Sequence, residues 1–191
     1  MPRLTDPVRQ QRMARIAEAA QRCFARDGFA GTSMADIIGE SGMSAGSIYS
    51  HFASKTELAR FTATSTLEAR EASLAAMTAD GGAPTPSEVL IRLHGEMAEA
   101  GIDSMLVQIW AEAPRDPELA EIARHKIAEV RRLLQRALHP WAATLTGDAD
   151  ERAADAADTV MLLFQGITVR ASIQPDADPR ALLRAVTALL P

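Results

Sequence analysis

Apolar residues recur along this chain at the three- and four-residue spacing of a helix face, and nowhere in the sustained alternation of a half-buried strand. The first stripe is Ile16, Ala17, Ala20, Cys23 and Phe24, in a helix predicted from about Pro7 to Asp27. Pro7 suits its first turn and Gly28 its stop, and Phe29 joins the same small core. Ser33 then stands as an N-cap ahead of Met34 and Ile37, with Asp36 in the favourable first turn. Ser41-Gly42 ends that short helix, and Ser44 caps another from Ala45 to about Phe52, whose apolar side is Ile48 and Phe52. Ser54-x-x-Glu57 is a capping box that opens a helix at Lys55; no breaker follows until Asp80-Gly81-Gly82, so it runs about 24 residues.

Past an Ala83-Pro84 linker, Thr85-Pro86-Ser87-Glu88 is a strong helix start, followed on one face by Val89, Leu90, Leu93, Met97 and Ala100 up to Gly101. Asp103 opens a shorter helix with Met105, Leu106, Ile109 and Trp110, which ends before Pro114. Asp116-Pro117-Glu118 opens the next, with Leu119, Ile122, Ile127, Val130, Leu134 and Leu138 inward, to about His139-Pro140. Asp148-x-x-Glu151 begins a helix to about Ile173 whose centre, Val160 to Phe164, is apolar on every side and therefore needs cover all round, from its own domain and a partner. Asp178-Pro179 starts a terminal helix with Leu182, Leu183, Val186, Leu189 and Leu190. The prediction is an all-α protein of about nine helices: a three-helix N-terminal head over residues 1–54, with the helix-turn-helix pattern, and a larger helical domain over 55–191.

Composition sharpens this picture. Aromatics are only 4% of the chain, and abundant alanine with few β-branched residues favours helix. The single Cys23 excludes an internal disulfide and fits a reducing cytoplasm; beside Phe24 it reads as core. No signal peptide is visible and the longest apolar run is far too short to span a bilayer, so a cytoplasmic protein without a membrane partner is expected. The net charge of −5 is unevenly spread: residues 1–60 hold eight Lys/Arg against six Asp/Glu, and the rest is acidic. One end of the chain is thus suited to phosphates and the other is not. Arg3 sits in a short arm of the kind that can reach a minor groove.

The outer side of the Ala45–Phe52 helix is small and hydroxylic, which lets a helix lie deep in a DNA major groove. Ala45, Gly46, Ser47 and Ser50 would face bases; Thr32, Ser33, Ser44, Tyr49, His51 and Lys55 flank them, with Ser33, Ser44, Tyr49, His51 and Lys55 placed for phosphates. Each has a plainer role open to it, as a cap or as packing on the helix behind. Gly28-Phe29, Thr32, Ser33, Ile37, Ser41-Gly42-Met43-Ser44, Gly46-Ser47-Ile48-Tyr49-x-His51-Phe52, Lys55 and Leu58 together resemble the DNA-binding signature of the TetR (tetracycline repressor) family. The likeness covers roughly residues 10–60 and departs from the common pattern at Ile38 and Ser41, where small alanines are usual.

The resemblance implies a C-terminal effector-binding and dimerisation domain, a small effector held between the middle helices, and a long connecting helix that moves when it binds. It implies that the last two helices pair with those of a second copy, through Phe164, Ile167, Leu182, Val186 and Leu189. Met77, Leu93, Met97, Met105, Gln108, Ile109, Trp110, Met161, Phe164, Gln165 and Thr168 fall at helical spacing that could line the cavity, though each position also fits plain core. Flexible methionines, aromatics and a few amides suggest a mostly apolar ligand with one or two polar anchors. The expected function is a homodimeric repressor released from a palindromic double-stranded operator by an unidentified small molecule; the alternative is a helical binding or sequestering protein with an idle head. No cofactor or metal is expected and an enzyme is disfavoured, because the chain lacks the zinc-protease, phosphate-loop and nucleophile-elbow motifs. Glu121-x-x-x-His125 reads as a solvated ion pair.

Overall fold

A computed structural model describes residues 6–100, 103–174, 176 and 178–190, so Arg3 and the stop expected at Gly101 lie outside the described residues. Within them are nine α-helices and no strand: α1 (Asp6–Gly31), α2 (Met34–Ser41), α3 (Ala45–Tyr49), α4 (Lys55–Thr78), α5 (Pro86–Ala100), α6 (Asp103–Glu112), α7 (Pro117–Ala142), α8 (Ala149–Ile173) and α9 (Pro179–Thr187). The all-α expectation holds.

Side chains set most of the boundaries. The Ser33 hydroxyl accepts from the Asp36 amide at 3.2 Å while the Asp36 carboxylate accepts from the Ser33 amide at 2.8 Å, closing a reciprocal box at the start of α2. Gly42 ends that helix in the left-handed conformation (φ +65°), and Ser44 caps α3 through the Ser47 amide. At α4, Ser54 accepts from the Glu57 amide, but Glu57 answers the Ala53 amide instead of that of Ser54, so the expected box closes one residue early. Thr85 and Glu88 form the reciprocal pair at α5, and Asp116, Asp148 and Asp178 each cap the helix behind them.

Four expected boundaries move. The helix from Asp6 does not end at Gly28: the glycine breaks it, at φ +79° and ψ 167°, and helix resumes to Gly31. The short α3 stops at Tyr49, where the Ser50 hydroxyl takes the Ser47 carbonyl at 2.7 Å and competes with the helical ladder. Pro140 removes only one amide and α7 continues past it to Ala142. In α9 the ladder ends at Thr187, leaving Leu189 beyond the helix and 87% exposed.

Among the described residues, two apolar clusters hold the fold together. One joins the head to the body: Ile16, Cys23, Phe24, Phe29, Ile37, Ile48, Phe52 and Leu58 pack in a single cluster with Met97, Met105 and Leu119. The other, around Leu90, Leu134, Leu138, Ala157 and Val160, ties α4, α5, α7 and α8. Across the α7–α8 pairing Arg131 grips Asp158 with two bonds of 2.6 and 2.8 Å, and the guanidinium holds the Asp158 carboxyl below the usual range.

Candidate nucleic-acid interface and apolar cavity

The head presents α3 with its polar side outward. Ser33, Ser44, Ala45, Gly46, Tyr49 and Ser50 are exposed and Ser47 is half-buried, while Ile37, Ile48 and Phe52 are in the core. Thr32 is placed differently: it is buried, and its hydroxyl donates to the Gly28 carbonyl at 2.6 Å, closing the break in α1. Lys55 is also turned inward. Its ammonium donates to the Phe29 carbonyl and to that of Thr32 (2.9 Å) and lies 4.3 Å from the centre of the Phe29 ring, capping the chain end of α1. His51 is half-buried with no partner for Nδ1, and burial together with Arg9 and Arg12 pushes its pKa down.

Of the arginines in the head, Arg22 and Arg26 are engaged by Glu40 and Asp27, whereas Arg9, Arg12 and Arg15 stand exposed on α1. The pairing with Arg22 and Arg26 holds the Glu40 carboxyl below its ordinary value. Sequence reasoning counted these charges without separating the two sets; the helical neighbours Arg22 and Arg26, one turn apart, were the available signal. Cys23 is fully buried and burial raises its thiol pKa, the condition of an inert thiol.

Behind the head lies a cavity of about 190 Å³ with almost wholly apolar walls. Leu93, Met97, Met105, Ile109, Trp110, Met161, Phe164 and Gln165 line it. Three other residues of the expected lining are elsewhere. Met77 packs on the second core cluster, Thr168 is buried with its hydroxyl oxygen unpartnered, and Gln108 is applied to the bend of α1. The sequence reading missed Phe24 and Phe29, which bring the head itself to the cavity, and the two cations Arg70 and Lys126. A signal existed for Lys126, which takes the place of an apolar residue in the stripe Ile122–Lys126–Val130.

Helix α6 touches both regions. Met105, Leu106, Ile109 and Trp110 form cavity wall, while Gln108 reaches the Ala25 carbonyl (3.5 Å) and the Glu112 carboxylate accepts from the Ala30 amide at 3.1 and 3.3 Å. Both polar contacts bracket Gly28, the one break in α1. On the far side of the body Ile167 is buried, Leu182 and Val186 pack partly against the second cluster, and Phe164 belongs to the cavity wall. Outward-facing instead are Leu162 (69% exposed) and Ile173 (72%), three turns apart on α8. Glu121 and His125 do not pair: Glu121 bonds Arg124 and His125 faces Glu129. Among the described residues no cluster could hold a metal ion, and no helix is long and apolar enough to cross a membrane.

Together these features define a helix-turn-helix protein whose small head shares its core with a larger helical body containing an apolar cavity. Its first part matches the model of "Bacterial regulatory proteins, tetR family" over residues 16–60, and its last part that of "BetI-type transcriptional repressor, C-terminal" over 101–190. The chain belongs to the TetR family of transcriptional regulators. It is 42% identical over 59 residues to the uncharacterized HTH-type transcriptional regulator YfiR of Bacillus subtilis, a match spanning 31% of this chain and 29% of that one. Solved structures resemble nearly the whole chain. GusR of Salmonella enterica is 25% identical with a TM-score of 0.70, covering 99% of both chains. A transcriptional regulator from Saccharomonospora viridis in complex with choline has a TM-score of 0.71 at 19% identity, covering 94% of this chain and 95% of its own. The family model and the Bacillus subtilis relative are both described as regulators.

Proposed function

We propose that the protein is a homodimeric, ligand-responsive DNA-binding regulator that represses from a two-fold symmetric operator until a small, mostly apolar molecule enters the cavity. The observation that carries this reading is the double duty of α6, which supplies cavity wall on one side and holds the break of α1 on the other. A ligand that displaces Met105, Ile109 or Trp110 therefore acts on the same helix that positions Gln108 and Glu112 against the head. Such a ligand shifts the heads only by the difference between its affinities for the DNA-competent and DNA-incompetent arrangements. In this reading Ser47 and its neighbours Ala45, Gly46 and Ser50 face bases, Ser33, Ser44, Tyr49 and the exposed Arg9 and Arg12 meet phosphates, and Thr32 and Lys55 hold the head in shape. The exposed Leu162 and Ile173, with Leu189 from the chain end, supply apolar surface that a second copy would cover.

Salt-dependent gel shifts on the DNA upstream of the protein's own gene test this reading. A dimer neutralising six to ten phosphates loses ~10³–10⁵ in affinity between 50 and 200 mM salt. Absence of sequence-specific binding, with ligand binding retained, would leave the sequestering protein as the better account. The choline-bound neighbour raises a quaternary ammonium as a second ligand class, and Trp110, Phe164, Phe24 and Phe29 supply rings that could face one. The charges on the cavity wall point the other way.

A further inference from the structure

The cavity wall has a charge pattern that apolar packing does not explain. Among the described residues that line it, only Arg70 and Lys126 are charged; both are cations, and none is an Asp or Glu. Neither is a surface residue folded over by chance: their side chains are 15% and 17% exposed. A cation can be kept this far from water when carboxylates outside the cavity neutralise it, and both have one. Arg70 bonds Glu96 at 2.7 Å, and Glu96 is shared with Ser73 and Arg92. Lys126 bonds Glu129 at 2.6 Å, which holds the Glu129 carboxyl below its ordinary value.

Those partners leave hydrogen-bonding capacity unused. The Nε–H of Arg70 is buried without an acceptor. The bond to Glu129 occupies one of the three donors on the Lys126 ammonium. On α4 and α7 respectively, the two cations line the same cavity as Ala59, Ala63, Ile122 and Val130, so an apolar body that fills it shares its walls with both. A neutral apolar molecule leaves the Arg70 donor unanswered, and a positively charged one meets two like charges. An acid supplies what is missing, because a carboxylate accepts charge-assisted hydrogen bonds from both side-chain types.

We infer that the cavity takes an amphipathic monoanion, an apolar body ending in a carboxylate held by Arg70 and Lys126. Size sets its scale: benzene fills an apolar cavity of about 150 Å³, so the roughly 190 Å³ here suits a single ring or a medium-length chain. The assignment rests on the cavity being the effector site, and the test separates the two claims.

Octanoate, 1-octanol and octylammonium share one body and differ only in the head group. Titrated calorimetrically into the full-length protein at pH 7.5, octanoate is expected to bind about tenfold or more tightly than 1-octanol, as a charge-assisted bond outweighs a neutral one. Octylammonium is expected to bind most weakly. Lys126→Met and Arg70→Met should each reduce the advantage of octanoate while 1-octanol still binds, and retained 1-octanol binding shows that the variant is folded and its cavity intact. Equal binding of all three probes, or preference for octylammonium, overturns the assignment and leaves the effector cavity standing. A preference for octanoate unmoved by either substitution also overturns it. If none of the three binds, the cavity is no ligand site and both claims fall.

Discussion

Gly28→Ala isolates the joint between cavity and head. Gly28 sits at φ +79° and ψ 167°, a region open essentially to glycine alone, where a side chain costs ~1–3 kcal/mol. A Cβ there would also stand 2.8 Å from the Gln108 Oε1 atom, so the side chain of Gln108 has to retreat from α1. Because Gln108 is a flexible side chain held there by a 3.5 Å bond, that retreat is the smaller part, about 1 kcal/mol, at the low end for overpacking. The expected total is ~2–4 kcal/mol. For a domain of this size each kcal/mol moves Tm by roughly 2–4 °C, so the variant should melt about 5–15 °C lower by circular dichroism. Gln108→Ala separates the two parts: it removes the collision but not the backbone strain. The double variant should therefore recover about 1 kcal/mol relative to the sum of the single changes, measured by urea unfolding as a double-mutant cycle. A Gly28→Ala protein within ~0.5 kcal/mol of the parent would refute the reasoning, since it would mean that the break in α1 is not held in this geometry. A full loss with no coupling to Gln108 would keep the strain and refute the contact.

Asp103 is half-buried, with one carboxylate oxygen lacking a partner; burial raises its pKa, and His94 offsets this only in part. A carboxyl whose folded pKa is raised favours folding below its unfolded pKa and loses that benefit as pH rises through the folded value. Asp103→Asn should thus raise Tm at pH 7 and give no gain near pH 3, where the acid is neutral in both states; an equal gain at both pH values would contradict this. Ser47→Ala should change the ranking of DNA sites, whereas Tyr49→Ala should weaken all of them alike, as a competition assay with variant duplexes would show; a uniform loss for Ser47→Ala removes it as a base reader. Leu162→Glu should convert the dimer to monomer in analytical ultracentrifugation and leave the helical circular dichroism unchanged, and a dimer that survives it places the interface elsewhere.

Much of the fold was legible because capping chemistry is local. Ser33, Ser44, Ser54, Thr85, Asp116, Asp148 and Asp178 announce their helices within four residues, and each stands where its helix begins. Helix ends were less legible. Gly28 satisfies every rule for a stop, yet the Thr32 hydroxyl and the Lys55 ammonium take up carbonyls around it and allow one further turn. That contact spans 23 residues of sequence, beyond the reach of any window-based pattern. Thr32 and Lys55, expected from the sequence to flank the DNA, brace the head from within.

The cavity was half legible for a related reason. Periodicity identifies which face of a helix turns inward, so Leu93, Met97, Ile109 and Phe164 were found. It does not say which inward faces leave a gap between them, and Met77 and Thr168 have the right spacing but meet packed neighbours. Arg70 and Lys126 were passed over because a cation on a helix is ordinarily solvated; only the placement of Glu96 and Glu129 shows how these two are kept inside. The outward Leu162 was hidden by the apolar run around it, since a helix that is apolar all round does not reveal which side its own domain covers.

The central claim is that two copies of the head read a symmetric DNA sequence. Selection from a pool of randomised duplexes with the full-length protein tests it most directly. The expected result is enrichment of an inverted repeat with half-sites about one helical turn, or a multiple of it, apart, bound by one dimer and lost on scrambling either half. No enrichment over the starting pool, or a motif lacking two-fold symmetry bound by a monomer, would contradict the account.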